Sequence, residues 1–324
     1  MPEDARAFWV TAPGRGEIRG EALRPPADNE VVIRALYSGI SRGTEALVFG
    51  GRVPPSEWDR MRAPFQEGHF PAPVKYGYSM VGRVERGPDA LTGRMVFVLH
   101  PHQTRFIVPA DDVHVLSDGT PPPRVVLAAL LETALNGVWD ARPHVGDRIA
   151  VIGAGTVGCL AAWLASRIPG CDVELIDVNP RRARVARALG VRFAEPSAAA
   201  RDADLVIHAS GAPDGLELAL QVAGVEARIV ELSWFGDRTV PLSLGGAFHA
   251  RRLTIASSQV GRIAPSQRPR WDTRRRMQLV LALLRDPHLD VLISGESAFE
   301  ELPDVMAQLA RAPGDTLCHR IRYS

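Results

Sequence analysis

The sequence has few cysteines, almost no net charge and no long apolar run, and each shortage excludes a class of protein. The three cysteines show no C-x-x-C spacing, which excludes a disulfide framework and a cysteine-based zinc site and indicates a reducing compartment, expected to be the cytoplasm. The formal net charge of +1 gives no overall field that would attract nucleic acid or a membrane surface. No apolar segment resembles a signal peptide or approaches the length of a membrane span.

The chain does contain enough apolar residues for a large core. At 324 residues with 46% hydrophobic content, it is expected to form two domains. Residues 1–119 have short apolar runs separated by glycine, proline and aspartate, which is the spacing of a β sandwich or barrel. The predicted strands of this part are Ala7–Val10, Val31–Leu36, Ser79–Val84, Arg94–Leu99 and Thr104–Val108.

Residues 120–262 alternate between helix-like and strand-like segments, which predicts a doubly wound parallel sheet. A stiff proline run at 121–123 marks the start of this part. Residues 263–324 then give two helices and a last strand. Outside the central stretch described next, the predicted helices are Val125–Ala141, Pro180–Leu189, Gly215–Val222, Thr273–Leu284 and Glu300–Ala310, and the predicted strands are Leu205–Ala209, Arg228–Ser233, Leu253–Ser257 and Thr316–Ile321.

The stretch from 148 to 177 is predicted to fold as strand, glycine turn, helix and strand. Its apolar runs are too short for helices and are bounded by glycine, which is typical of buried strands. An acidic residue follows the second run. The parts are the strand Ile149–Ile152, the glycines Gly153, Gly155 and Gly158 in G-x-G-x-x-G spacing, the helix Cys159–Arg167, the strand Val173–Ile176 and then Asp177.

This spacing predicts a dinucleotide site. The first glycine makes the tight turn, the second lets backbone N–H groups approach a pyrophosphate, and the third lets the helix pack against the strand. The phosphates then lie at a helix N-terminus, which favours anions. The alternative interpretation is a parallel sheet whose glycines only permit close packing, and flavin and S-adenosylmethionine sites share parts of the pattern. The predicted cofactor-binding residues are Gly153, Gly155, Thr156, Val157, Gly158, Asp177, Arg182, Ser210 and Arg42.

Asp177 bears on which dinucleotide is bound. A carboxylate at this point accepts hydrogen bonds from the ribose hydroxyls and repels a 2′-phosphate, so NAD is expected. Arg181 and Arg182 are close enough in sequence to meet such a phosphate, which leaves NADP as the alternative. Their other interpretation is the solvated face of the helix that begins at Pro180.

Three local motifs add to the glycine unit: Gly39–Glu45, Tyr76–Gly82 and His102–Pro109. With these motifs, the order of β module, mid-chain nucleotide unit and short tail resembles the medium-chain dehydrogenase/reductase superfamily. The resemblance implies an α/β fold with a GroES-like β-barrel domain (1–119 and 263–324) and a doubly wound Rossmann domain (120–262). It also implies an active site in the cleft between the domains and a homodimer formed along an edge of the Rossmann sheet.

The motifs depart from those of zinc-dependent members of that family, which carry Gly-Ile-Cys-Gly-Thr-Asp and Gly-His-Glu. Here the cysteine position is Ser41, the histidine position is Tyr78, and the third ligand position lies near Ala128 or Ala129. Serine, tyrosine and alanine are poor substitutes for the ligands that zinc prefers, so no metal is expected. The segment Gly-Ile-Ser-x-Gly-Thr-Glu is also similar to bacteriochlorophyllide dehydrogenases, which lack zinc.

Without zinc, a carbonyl that receives a hydride still needs its negative charge stabilised and a proton delivered. Tyr78 could do both, or it could simply fill the volume that the metal vacates. His100 matches a pocket-lining position of the family, and an imidazole with a pKa of about 6.5 is a natural proton relay. The predicted catalytic residues are Tyr78, His100, Ser41, Thr44 and Glu45.

Several nearby residues have two interpretations. With no metal to orient, Glu45 is expected to hold Arg42 or a backbone N–H, while Arg42 matches a pyrophosphate contact of the family. His102 is either a second relay on the face of His100 or a core or surface histidine. Glu132 is either a buried acid with a raised pKa or an acceptor for an N–H group.

Five arginines between Arg268 and Arg276 could suggest a nucleic-acid patch, but Trp271 is the only aromatic residue among them. The favoured interpretation is the exposed start of a helix, and a third is a cleft-rim contact for an acidic substrate.

Taken together, these motifs predict a zinc-independent, NAD(H)-dependent oxidoreductase acting on a carbonyl or secondary alcohol of a small molecule. The alternatives are reduction of an activated C=C bond and a nucleotide-binding sensor that has lost catalysis.

Overall fold

The computed structural model describes residues 3–324, which divide into two compact units. Unit 1 contains residues 3–129 and Met277–Ser324, and unit 2 contains Leu130–Arg276. Both boundaries lie later in the chain than the expected ones at 119/120 and 262/263. The sequence signals mark the starts of elements, whereas each boundary falls inside a helix, Ala128–Ala141 or Thr273–Leu283.

The first part of unit 1 is built mainly from antiparallel strands. Its elements are β1 (Glu3–Ala12), β2 (Arg15–Leu23), β3 (Glu30–Ile40), helix α1 (Arg42–Phe49), β4 (Glu67–Gly68), β5 (Val74–Lys75), β6 (Met80–Arg86), β7 (Met95–Val98), β8 (Arg105–Pro109) and β9 (His114–Val115). One sheet has the order β2-β1-β5-β4. The sequence analysis missed β2 because its side chains alternate between half-buried and exposed, with few large apolar residues. Pairing with β1 along its whole length defines it as a strand.

Unit 2 is a six-stranded parallel sheet with helices between the strands. Its elements are α2 (Ala128–Ala141), β10 (Arg148–Ile152), α3 (Thr156–Ala165), β11 (Asp172–Ile176), α4 (Ala183–Ala188), β12 (Arg192–Ala194), β13 (Ala203–His208), α5 (Pro213–Val222), β14 (Ala223–Glu231) and β15 (Thr254–Ser257). The strand order is β12-β11-β10-β13-β14-β15, so it reverses between β10 and β13. Both strands are buried along most of their length, which explains their continuous apolar runs.

The tail of the chain completes the second sheet of unit 1. Its elements are α6 (Thr273–Leu283), β16 (Ile293–Ala298), α7 (Leu302–Arg311) and β17 (Cys318–Arg322). The sheet has the order β16-β17-β3-β6-β7-β9, with β8 paired to β3. Shorter 3₁₀ turns lie at Pro55–Glu57, Ala110–Asp112, Pro122–Leu127, Pro180–Arg182, Pro196–Ala198, Pro287–Leu292 and Phe299–Glu301, and a π-helical segment lies at Leu244–Phe248.

A buried ion pair links α2 to the start of α6 within unit 2. Arg276 donates to Glu132 Oε1 at 3.0 Å, to Asn136 Oδ1 at 2.7 Å and to the carbonyl of Val260 at 2.7 Å. Burial raises the pKa of Glu132, and the Arg276 guanidinium opposes that rise. The basic run is therefore not uniformly a solvated face, because Arg276 is only 2% exposed and belongs to the core.

Among residues 3–324, no helix combines the length and the apolar character that crossing a membrane would require.

We predict that Arg276→Met lowers the free energy of unfolding by about 3–5 kcal/mol, because it leaves the Glu132 carboxylate buried without its cation. Replacing both partners, with Glu132→Leu added, should recover much of that loss. Urea unfolding followed by tryptophan fluorescence measures both values, and exposed Arg270→Met is the control, expected to change stability by less than about 0.5 kcal/mol. A double variant as unstable as the sum of the two single variants would contradict the pairing.

Candidate functional site

The glycine turn after β10 has the geometry that its spacing predicts. Gly153 has φ +103°, a conformation that favours glycine. A Cβ on Gly158 would overlap the carbonyl oxygen of Gly153, so α3 can lie against the end of β10 only with glycine there. A Cβ on Gly155 would meet nothing within 4 Å. The second glycine therefore borders open space, as a site for a close-lying ligand requires.

Helix α3 begins at Thr156, directly after this turn, rather than at the predicted Cys159. The first N–H groups of a helix have no partner within the helix, and its dipole adds positive potential there. Gly155 occupies the N-cap position and has no side chain to bond these groups. Thr156 and Val157 are partly exposed, so the helix N-terminus is accessible to an anion.

Asp177 follows β11 and ties it to the turn. Its carboxylate accepts hydrogen bonds from the backbone N–H of Ala154 at 2.6 Å and of Asn179 at 2.8 Å. The two neighbouring arginines differ, since Arg181 is exposed and Arg182 is only 6% exposed. The structure thus places Asp177 and the glycines together, with Arg182 packed into the unit rather than on a solvated face.

Ser210 lies at the same edge of the sheet, two residues after β13. Its N and Cα atoms would be 2.5 Å from a Cβ on Gly153. Its hydroxyl lies 2.6 Å from Nε2 of His208, whose Nδ1 lies 2.6 Å from Glu231 Oε2. The sequence analysis missed His208 and Glu231, although each is the last residue of a parallel strand, where polar side chains often mark a site.

In unit 1 the predicted residue Glu45 lies in α1 and is 3% exposed. It accepts hydrogen bonds from the backbone N–H of Ser41 at 2.8 Å and from Nε2 of His102 at 2.8 Å. Of the two partners expected for Glu45, the structure shows the backbone N–H. The strand β7 ends at Val98, so His102 does not share a strand face with His100.

The chain of hydrogen bonds continues from His102 to the C-terminal strand. The Nδ1 atom of His102 lies 2.7 Å from Ser38 Oγ, which lies 2.9 Å from the hydroxyl of Tyr323. With His102 neutral, Tyr323 donates to Ser38, Ser38 donates to His102, and His102 donates to the carboxylate of Glu45. All four side chains of this path are thereby oriented.

Tyr78 lies beside this carboxylate and is partly exposed. Burial of its phenol raises its pKa, and the negative charge of Glu45 raises it further, while hydrogen bonds with the side chains of Ser41 and Thr44 lower it. The phenol is therefore protonated at neutral pH and can donate a hydrogen bond. Ser41, Thr44, Glu45 and Tyr78 thus form one cluster, and their catalytic roles stay predictions.

His100 differs from its predicted behaviour. Its ring stacks on Phe106, with centroids 3.9 Å apart, and on Phe65 at 5.5 Å, and its Nδ1 donates to the carbonyl of Pro101 at 2.9 Å. Burial lowers its pKa to about 3. The imidazole is thus neutral at physiological pH, so the expectation of a relay with a pKa near 6.5 is wrong for this residue.

The positions that match the zinc ligands of the resembled family do not offer zinc ligands here. Ala128 and Ala129 are buried and their side chains offer no donor atom. The hydroxyl of Ser79, the residue after Tyr78, donates to the carbonyl of Val126 at 2.7 Å. Burial raises the pKa of the nearby Cys318 thiol to about 12, which keeps it from being a thiolate. Within the described residues 3–324, no group of three His, Cys, Asp or Glu side chains is arranged to hold a metal ion.

Arg42, predicted as a pyrophosphate contact, begins α1 in unit 1. Its guanidinium lies 3.5 Å from the carbonyl oxygen of Thr316, a long hydrogen bond. The glycine turn belongs to unit 2, and Arg42 therefore stays a prediction as a cofactor residue.

The sequence was compared with known proteins, and no protein-family profile matches it. It is similar to D-guloside 3-dehydrogenase of Escherichia coli K12, with 24% identity over 315 residues that cover 88% of this chain and 87% of the relative. It is also similar to 2-desacetyl-2-hydroxyethyl bacteriochlorophyllide A dehydrogenase of Rhodobacter capsulatus, with 29% identity over 243 residues, 68% of this chain and 70% of the relative.

Among solved structures, L-idonate 5-dehydrogenase of Escherichia coli K-12 superposes with a TM-score of 0.81 at 13% identity and covers 99% of both chains. This likeness confirms the predicted fold class, a GroES-like domain with a doubly wound Rossmann domain.

We predict that His100 makes the protein more sensitive to acid. Its folded-state pKa lies below its unfolded value, so the unfolded chain takes up this proton first. The stabilising contribution is present above about pH 6.5 and falls by up to about 1.4 kcal/mol per pH unit as the pH drops towards the folded pKa. Unfolding free energies measured between pH 7 and 5 should therefore fall less steeply for His100→Phe than for the unsubstituted protein. Exposed His249→Phe is the control, and equal slopes for all three proteins would refute the assignment.

Proposed function

We propose that this protein is a medium-chain dehydrogenase/reductase that interconverts a secondary alcohol and a carbonyl with a nicotinamide dinucleotide and without catalytic zinc. The observation that carries the proposal is the geometry of the turn at Gly153–Gly158. Position 158 has no room for a side chain, so the helix packs closely against the strand, whereas Gly155 borders open space that a ligand could occupy. The sequence relatives named above are both dehydrogenases, which supports the reaction class.

Unit 2 supplies the dinucleotide site in this proposal. The open space at Gly155 and the N-terminus of α3 would accept the pyrophosphate, and Asp177 at the end of β11 would face the adenosine ribose. The carboxylate disfavours a 2′-phosphate, so NAD(H) is the preferred form. When bound, the nicotinamide would supply or accept the hydride.

Unit 1 supplies the group that stabilises the substrate oxygen. The phenol of Tyr78 stays protonated because its pKa is raised, and a hydrogen bond from it would stabilise negative charge that develops on a carbonyl oxygen. Hydride transfer to the carbonyl would leave an alkoxide, which is more basic than a phenolate and would therefore take the proton of Tyr78. The hydroxyls of Ser41 and Thr44 bond to Tyr78 and would relay a proton from solvent back to it, and oxidation of the alcohol would run the same proton path in reverse.

The proposal assigns no metal to the reaction because the donor set does not fit one. Glu45 and His102, the two side chains of this cluster most suited to a metal, hydrogen-bond to each other at 2.8 Å. The Cys318 thiol and the Tyr78 phenol are both held protonated. Thiolate and imidazole are the ligands that a catalytic zinc ion prefers, and here neither is available.

Binding of the dinucleotide can be measured directly. The protein should quench or shift NADH fluorescence and bind NADH more tightly than NADPH. Gly155→Val places a side chain in the open space and should weaken NADH binding at least about tenfold while the fold is retained. The matched control is Gly20→Val, since a Cβ there also meets nothing within 4 Å. Equal NADH affinity in both variants would show that the turn does not bind the dinucleotide.

Activity tests the role of Tyr78. Against a panel of secondary alcohols and ketones, Tyr78→Phe should lower kcat by about 10²–10³, because it removes a donor to the developing charge. Partly exposed Tyr37→Phe is the matched control, and 1,10-phenanthroline should leave the rate unchanged. A panel of enones tests the alternative reaction, reduction of an activated C=C bond. Turnover of enones at a rate that Tyr78→Phe does not change would favour that reaction. NADH binding without turnover of any substrate would favour a sensor.

A further inference from the structure

A hydrogen-bonded chain of three side chains lies at the carboxyl ends of β13 and β14. His208 ends β13 and is fully buried, while Ser210 is exposed. The imidazole bridges Glu231 Oε2 on Nδ1 and Ser210 Oγ on Nε2, each at 2.6 Å. The chain thus connects a partly buried carboxylate through a fully buried imidazole to a hydroxyl at the surface.

The chemistry of these groups decides which atom carries each proton. A carboxylate only accepts hydrogen bonds, so Nδ1 of His208 carries a proton, and in the neutral imidazole Nε2 is then an acceptor. The hydroxyl proton of Ser210 therefore points at Nε2, and its other acceptor, the carbonyl of Ala212, is more distant at 3.4 Å. Glu231 cannot rotate freely, because its Oε1 accepts from the backbone N–H of Ser233 at 2.6 Å.

This arrangement fixes Ser210 Oγ as an acceptor. Its proton is engaged by His208, and one lone pair accepts the N–H of Ala212 at 3.1 Å. A hydroxyl oxygen has two lone pairs, so one remains, and because Ser210 is exposed this lone pair is accessible to a donor from outside the chain. Gly215 of α5 lies beside this hydroxyl, and a Cβ at that position would overlap Ser210 Oγ.

The position of Ser210 identifies the molecule that would supply this donor. The strand order reverses between β10 and β13, and ligands of parallel α/β sheets bind outside the carboxyl ends of the strands at such a point. Ser210 lies against Gly153, the first glycine of the turn, on that edge. A group seated on the turn would extend past the serine.

We propose that Glu231 and His208 are positioning residues that hold Ser210 Oγ as the acceptor for a hydrogen-bond donor of the bound dinucleotide, either a ribose hydroxyl or the carboxamide N–H of the nicotinamide. The inference rests on the proposed function, because it requires a dinucleotide on the turn. It goes further by assigning roles to His208 and Glu231, which act on the ligand only through Ser210.

The proposal is tested by NADH affinity in Ser210→Ala, Glu231→Gln and the double variant. Loss of one hydrogen bond should weaken binding about three- to tenfold in Ser210→Ala. A glutamine at 231 can donate to Nδ1, which moves the imidazole proton to Nε2 and uses up the lone pair of Ser210. Glu231→Gln should therefore weaken binding by a similar factor, and the double variant should be no weaker than Ser210→Ala alone, because both changes act through one oxygen.

Two analogues distinguish the donors. Reduced 3-acetylpyridine adenine dinucleotide has no carboxamide N–H, so its affinity should be insensitive to Ser210→Ala if the carboxamide is the donor. ADP-ribose lacks the nicotinamide, so a Ser210→Ala effect on its binding would identify a ribose hydroxyl. Ser166→Ala, also in unit 2, is the control for a lost hydroxyl, and thermal unfolding midpoints show that each variant is folded.

The outcomes separate this inference from the proposed function. If the unsubstituted protein binds no dinucleotide, the proposed function fails and this inference fails with it. If the protein binds NADH and Ser210→Ala binds equally well, only the role of Ser210 is refuted. If Ser210→Ala weakens binding but Glu231→Gln does not, or if the two effects add in the double variant, Glu231 and His208 do not act through Ser210.

Discussion

The contact between Gly158 and the carbonyl oxygen of Gly153 is the constraint on which the candidate cofactor site depends. It lets the backbone of α3 lie against the end of β10. Any side chain at position 158 would overlap the carbonyl oxygen of Gly153 and prevent this close approach. The close approach brings the N-terminus of α3 to the point where the strand order reverses. Helix dipole, unbonded N–H groups and the open space at Gly155 then coincide, and Asp177 bonds to the backbone of the same turn.

Each unit also contains a buried histidine paired with a carboxylate and a hydroxyl. In unit 1 His102 joins Glu45 to Ser38, and in unit 2 His208 joins Glu231 to Ser210. In both cases the ring nitrogen that faces the carboxylate carries a proton, and the other nitrogen of the neutral ring then orients a hydroxyl. Weak dielectric screening in the interior makes such networks costly to leave incomplete, so they hold one arrangement. The proposed chemistry accordingly uses oriented hydroxyls instead of a metal ion.

His100 shows why a histidine at a predicted pocket position need not be a proton relay. Its ordinary pKa suggested that role, but stacking against Phe106 and burial exclude the water that a charged ring needs. Arg276 was expected to be solvated as part of a basic run. It is buried instead and donates hydrogen bonds to three partners. Both outcomes also depend on residues distant in the chain, Phe65 for His100 and Glu132 for Arg276, and burial of this kind has no local signal.

The sequence by itself determined the fold class, most of the alternating strands and helices of unit 2 and the glycine turn, because apolar periodicity and glycine spacing act over a few residues. Tertiary structure decided the partners of the buried polar groups. Glu45 bonds to a histidine 57 residues away and Glu132 to an arginine 144 residues away, distances at which no sequence pattern specifies contact. Protonation states and hydrogen-bond directions follow from those long-range contacts, since burial and nearby charge set them.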